Sequence, residues 1–311
     1  MTPASGHSGF FPDVQRLAEL PPNETEAEQH TKYEALVNRP ENRGWRKFLT
    51  VDIVLLALDT ATDANGVEEL DLAILMIRRG EKPYLDRWAL PGGFVKEHSP
   101  ATGEDGDVDL LAAAHRELKE ETGLDAEADG IQLQQLKTYY LREPNRDPRG
   151  AIASVAFVAL VPADEKRLVS RLAPTGKVKG GGDAREAQWW TRARSTELIG
   201  KLAFDHAEII DDAIAWAGRE LERTSVATEF LADAFTIADI RKVYEAVWGV
   251  ELDPANFRRK VLANSDSEGE EQPFVLGSGR KTRAGGRPAE LYERGSAERH
   301  DLRIPIRRPR S

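Results

Sequence analysis

The chain of 311 residues contains no cysteine, which excludes disulfide bonds and thiolate metal sites and points to a reducing cytoplasm. It also lacks any apolar run near the roughly eighteen residues that a membrane-spanning helix needs. The opening segment Met1-Thr2-Pro3-Ala4-Ser5-Gly6 has neither the basic flank nor the apolar core of a secretory signal. No internal repeat runs along the chain. What is present is ordinary for a globular protein: 40% hydrophobic and 31% charged residues, with length enough for two domains. A net charge of −10 would discourage nucleic-acid binding if it were evenly spread. It is not, because Ser278 to Ser311 holds ten Lys or Arg against four acids. A local basic region on an acidic chain suits a protein that meets phosphates at one end only.

The densest chemistry lies in Arg116-Glu117-Leu118-Lys119-Glu120-Glu121-Thr122-Gly123-Leu124. The spacing predicts a helix starting near Asp107 or Asp109, either of which suits the N-cap, and ending at Gly123. Leu110, Leu111, Ala114 and Leu118 form the side to bury. Glu117, Glu120 and Glu121 then share one face, where three carboxylates repel one another. A divalent cation would relieve that repulsion, and an all-oxygen cluster suits Mg²⁺ or Mn²⁺. Three glutamates alone fit a solvated acidic face equally well. The upstream segment Trp88-Ala89-Leu90-Pro91-Gly92-Gly93-Phe94-Val95 tips the balance, since the two segments together resemble the signature of Nudix hydrolases.

That resemblance implies a loop–helix–loop that carries Mg²⁺ against the diphosphate of a nucleotide. The downstream half matches position for position. The upstream half departs: Val108 stands where the family has a further Glu, and about nine extra residues separate Gly93 from Arg116. The extra stretch, His98 to Asp107, has loop composition. Glu97, Glu104, Asp105 or Asp107 is available as a substitute ligand, and the sequence does not choose among them. Arg116 is expected to pair with Glu120 one turn on and to orient the acids.

Elsewhere, residues 1–45 read as a polar extension. The apolar runs Val51–Leu58 and Leu72–Ile77 form a hairpin with a long loop, and Ala151–Val161 reads as a strand covered on both faces. Gln188-Trp189-Trp190 borders a further strand, and Ala203–Leu221 reads as an amphipathic helix with Asp205-His206 at its start. Trp88, Trp189 and Trp190 are more in keeping with core than with base stacking. This is an α+β layout. From about 222 a separate unit follows. Thr236 caps one helix, and Asp253 caps a second that opens at Pro254. The second helix carries Asn256, Phe257, Arg258, Arg259 and Lys260, and a hairpin with a Gly- and Arg-rich tip holding Arg283 and Arg287 comes next. Two helices and a basic hairpin make a winged helix-turn-helix. In such a unit the second helix enters the major groove. Asn256, Arg258 and Arg259 suit adenine and guanine edges, while Phe257 reads as a core anchor.

Further segments are similar to one branch, the Nudix-related transcriptional regulators of NAD metabolism. They are Arg146-Asp147-Pro148-Arg149-Gly150, Leu202–Ile209, Asn256–Lys260, and Gly286-Arg287-Pro288-Ala289-Glu290-Leu291-Tyr292. The resemblance covers about residues 46 to 294. It implies a Nudix α/β/α sandwich with a mixed sheet (46–221), a winged helix for operator DNA (222–294), a basic flexible tail (295–311) and a homodimer. The ligand it implies is ADP-ribose or a related nucleotide. On this reading Glu117, Glu120 and Glu121 hold metal with Arg116 in support, and Gly92 and Gly93 line the ligand. Arg146 or Arg149 either holds a ligand phosphate or simply belongs to a tight turn before a strand.

Overall fold

The computed structural model describes residues 49–62, 68–96, 105–140, 146–149, 152–161, 184–265, 272–282, 288–296 and 299–309. The N-terminal extension, Glu97, Glu104 and the wing arginines Arg283 and Arg287 lie outside the described residues.

The hairpin expected from the two apolar runs is β1 (Leu49–Thr62) against β2 (Glu68–Arg79), paired antiparallel. Strand β1 also pairs in parallel with β6 (Ala153–Leu160), which carries β5 (Gln134–Tyr139) antiparallel on its far side. Short β3 (Trp88–Ala89) and β7 (Ala184–Thr191) pair with β2, and β4 (Gly92–Phe94) pairs with β1. The result is a mixed seven-stranded sheet with β1 at its centre.

Both faces of this sheet are covered, and the pleat sorts the central residues between them. Val51, Ile53, Leu55 and Ala57 share one core with Ala113, Ala114 and Leu118 of α1 (Leu110–Thr122). Val54, Leu56 and Leu58 face the other way, toward Ile209, Ile210, Ala213 and Ile214 of α2 (His206–Arg223). Two-sided burial explains why these strands read as continuous apolar runs. Trp88 and Trp190 sit edge to face at 5.0 Å within the second core.

The winged helix forms from α3 (Ile237–Trp248), α4 (Pro254–Ala263), β8 (Val275–Lys281) and β9 (Glu290–Arg294). Thr236 and Asp239 close a capping box on α3, and Asp253 caps α4 ahead of Pro254. Between them Gly249 takes a left-handed φ of 66°, which lets α3 stop and the chain turn into α4. Phe257 is buried 5.1 Å from the Tyr244 ring, as a core anchor.

Two expectations are corrected. The residues beyond 222 form the expected winged helix, but they are not isolated from the sheet. Ile237, Ile240, Val243, Tyr244 and Phe257 belong to the same continuous core as Leu72, Ile74 and α2. The reason is that the second sheet face is wider than α2 can cover, and α3 takes up the remaining apolar surface. Nor is 295–311 a flexible basic tail over its described length. Leu302 and Ile306 are buried, and their N–H groups donate to the carbonyls of Arg223 (2.6 Å) and Glu222 (2.9 Å) at the end of α2. Asn264 exchanges two hydrogen bonds with Ile304 (3.0 and 2.8 Å). Arg299 forks onto Glu229 and reaches Gln134 of β5, and Arg308 donates to the last carbonyl of α3 at Trp248 (2.8 Å). These arginines satisfy acids and helix C-termini, so an arginine count misreads them as a solvated phosphate-binding run. Ile306→Ala is therefore expected to cost about 2–4 kcal/mol in chemical denaturation of the full chain. A flexible tail would give no measurable change.

Candidate functional site

Asp109, not Asp107, caps α1, its Oδ1 accepting the Ala112 N–H at 2.7 Å. Gly123 ends the helix in the left-handed region with its N–H on the Lys119 carbonyl. Asp107 is freed for another task. It receives a two-pronged bond from Arg116, Nε to Oδ1 and Nη2 to Oδ2, both at 2.8 Å, and accepts the Lys96 N–H at 2.7 Å. The end of the inserted loop is thus clamped onto the helix. Burial would raise the Asp107 pKa, but the Arg116 and Lys96 bonds outweigh it and hold the carboxyl below its ordinary range. Arg116 also bonds Glu117 (2.5 Å), the Phe94 carbonyl (3.1 Å) and, at 3.4 Å, Glu120. The expected Arg116–Glu120 pair exists and is the longest of these contacts. Val108 is 90% exposed, with its side chain in solvent.

Gly92 stands where no other residue fits, and a side chain at Gly93 would have to displace Glu117. A Cβ on Gly93 would lie 2.5 Å from the Glu117 carboxylate, and one on Gly92 would lie 2.1 Å from the Val51 carbonyl. Their backbone therefore meets the acids directly, and the Gly92 N–H donates to buried Glu121 at 2.7 Å. Burial raises the Glu117 pKa in spite of Arg116 beside it. Glu120 is more exposed and lies 3.1 Å from the Lys96 ammonium. In donor chemistry the three glutamates fit Mg²⁺ or Mn²⁺. In arrangement they do not: among the described residues no three acidic or His groups are gathered as a metal cage. Instead Arg116 bonds Glu117, Lys96 bonds Glu120, and the Gly92 N–H bonds Glu121.

Directly beside Gly92 lies a buried polar network that sequence reasoning missed. Asp52, on β1, accepts from the Ser154 hydroxyl of β6 and lies 3.5 Å from His206 Nε2 and 3.6 Å from Arg146 Nη2. His206 Nδ1 accepts the Leu90 N–H at 2.8 Å, which leaves Nε2 to carry the proton facing Asp52. Arg146 forks onto Asp205 with two bonds of 2.8 Å. Asp205 sits at the N-cap of α2 without capping it, because its carboxylate is taken by Arg146. Burial alone would raise the Asp52 pKa; the pull and hydrogen bonding of His206, then Arg146 and Ser154, outweigh it and hold the carboxyl at about 2. The available signal was a polar residue inside each apolar run, Asp52 in one and Ser154 in the other.

Of the two candidate phosphate ligands, Arg146 is thus committed to Asp205 and Asp52. Arg149 forks onto Asp147 (3.0 and 2.7 Å) and stacks over the rings of Phe94 (4.8 Å) and Phe204 (5.5 Å). Both stand at the α2 end of the site, and each is matched by a carboxylate.

The candidate DNA face is far simpler. Asn256, Arg258 and Arg259 project from the exposed side of α4, with Lys260 half-buried. The Asn256 Oδ1 accepts from Arg259 at 2.8 Å. Arg258 reaches Tyr292 on the wing at 3.3 Å.

Comparison with known proteins agrees with this division. Residues 60–213 match the model of the NUDIX domain, and residues 227–293 match the NrtR DNA-binding winged helix domain. An ADP-ribose pyrophosphatase of Methanocaldococcus jannaschii is 35% identical over 161 residues, covering 52% of this chain and 77% of that protein. The chain belongs to the Nudix family. Over a longer span, this Nudix protein is 28% identical to the ADPR responsive transcriptional repressor NtrR of Acinetobacter baylyi, across 83% of the chain and 85% of the relative. A crystal structure of Shewanella oneidensis NrtR complexed with a 27mer DNA superposes with a TM-score of 0.59 at 24% identity. It covers 84% of this chain and 100% of the other, and shows the same fold over that span.

The Asp52 network has a pH consequence. Its folded pKa of about 2 lies below the model-compound value of 3.8, so its contribution to stability is complete above about pH 4. That contribution is lost as pH falls toward 2. Denaturation midpoints of wild type and Asp52→Asn between pH 2 and 6 are expected to differ most at the upper end and to converge at the lower.

Proposed function

We propose that this Nudix protein is a ligand-responsive transcriptional regulator, sensing ADP-ribose or a related NAD-derived nucleotide and binding operator DNA through its winged helix. One observation carries the reading: helices α2 and α3 and the sheet that holds the signature share a single buried core. A rigid shared core lets a change at one site bias the other, provided the ligand prefers one arrangement. Support also comes from the relative described as an ADPR responsive repressor.

On this reading the nucleotide lies against Gly92 and Gly93, with Arg146 or Arg149 on its phosphates. Arg146 is tied to Asp205 at the first turn of α2, so a phosphate competing for it acts on the helix that bears the winged helix. Asn256, Arg258, Arg259 and Lys260 meet DNA from α4, and Arg283 and Arg287 meet it from the wing. The protein works in the cytoplasm as a homodimer on a palindromic site, one winged helix per half-site.

Hydrolysis is the second reading, favoured by the intact downstream glutamates and the pyrophosphatase relative. Nudix hydrolases generally use divalent metals. Glu117, Glu120 and Glu121 would hold Mg²⁺ (or Mn²⁺) here only by exchanging Arg116, Lys96 and the Gly92 N–H for it.

Gel shifts of the full chain across promoter fragments at moderate salt test the first reading. A specific complex that ADP-ribose disperses is expected, and no specific complex with any fragment contradicts it. Arg259→Ala is expected to weaken that complex about tenfold or more. Gly93→Ala, which pushes Glu117 aside, is expected to bind the same DNA and lose the response to ADP-ribose. For the second reading, ADP-ribose with Mg²⁺ is assayed for AMP, and absence of turnover rejects it.

A further inference from the structure

We infer that Tyr292 is a positioning residue for base reading: its hydroxyl, anchored on Glu290, sets the Arg258 guanidinium in one orientation against DNA. This rests on the DNA-binding reading given above. Arg258 lies on the exposed side of α4, and an arginine there ordinarily samples many rotamers. Here its Nη2 donates to the Tyr292 Oη at 3.3 Å, and that hydroxyl donates onward to Glu290 Oε2 at 2.8 Å. Glu290 is itself 3.9 Å from the guanidinium. A phenol has one O–H to give and lone pairs to receive, so the relay runs in a single direction, from Arg258 through Tyr292 to Glu290.

The anchor does not swing. Tyr292 is buried, and its backbone exchanges two hydrogen bonds with Phe235, at 2.7 and 2.9 Å, just before α3 begins. Wing strand β9, helix α3 and helix α4 are therefore registered on one another at the point where Arg258 is held. One N–H of the guanidinium is spent on the relay, and the other donors stay available. Arginine reads guanine by two parallel bonds to O6 and N7, a geometry that needs the fork fixed beforehand. Fixing it in the free protein improves discrimination between bases, since the wrong base then meets a fork that cannot adapt.

The test uses the full-length protein and a duplex pool with a randomised core. Wild type, Arg258→Ala, Tyr292→Phe and Glu290→Gln are each carried through selection, and each is then measured on single-position variants of the enriched site. The expected result is one base position whose preference collapses in Arg258→Ala. Tyr292→Phe, which keeps the ring and the charge, reduces preference at that same position about tenfold and leaves the salt slope of binding at its wild-type value. Glu290→Gln gives a smaller loss at the same position. Preference retained there by Tyr292→Phe overturns the inference. So does an equal loss at every position, the mark of a merely structural role. If Tyr292→Phe melts early, exposed Glu290 decides, and unchanged preference in Glu290→Gln is then the contrary result. A wild type that enriches no sequence defeats the DNA-binding reading first, and the inference with it.

Discussion

Two-sided burial of the central hairpin is the constraint on which the rest of this structure depends. Strands β1, β2 and β6 are apolar on both faces, and neither face tolerates water. Helix α1 covers one face and brings the signature acids to the sheet's edge. The other face exceeds what α2 alone covers, so α3 and the C-terminal segment complete it. The winged helix is thereby part of the same core as the sheet that carries the signature. Hydrophobic burial scales with area and is indifferent to domain labels, so the described elements share one core around the sheet.

Within that body the polar groups sit at the seams. The Asp52 network lies between β1, β6 and the start of α2, and the Arg299 cluster lies between β5, α2 and the turn before α3. Buried charges of this kind are retained only when paired, and breaking one partner is costly. They tie the start of α2 to the sheet beside Gly92. That tie is what a ligand phosphate competing for Arg146 would loosen. The acids of α1, by contrast, are held at the other end of the site, Glu117 by Arg116, Glu120 by Lys96 and Glu121 by the Gly92 N–H.

Much of this was legible from the sequence wherever local chemistry dictates local structure. The caps at Thr236, Asp253 and Gly123, the left-handed Gly249 and the buried Phe257 follow from residue type and spacing. The docking of α3 was not legible, because amphipathic periodicity shows that a helix buries a face and not against what. The C-terminal segment was misread because its arginines suggest solvent, while Leu302 and Ile306 are too few to form a visible pattern. The Asp52–His206 contact joins residues far apart in the chain, and a single sequence carries no trace of such a pairing. The choice of Asp109 over Asp107 as cap turned on a partner, Arg116, that each candidate would have suited equally on paper.

The central claim is that nucleotide site and DNA face are energetically coupled through the shared core. Coupling of this kind is reciprocal, so DNA must change nucleotide affinity by the factor by which nucleotide changes DNA affinity. Calorimetric titration of the full chain with ADP-ribose, alone and saturated with its selected DNA duplex, measures this directly. The account predicts that ADP-ribose binds several-fold more weakly to the DNA complex, by the same factor seen in the reverse titration. Equal ADP-ribose affinity with and without DNA would contradict it.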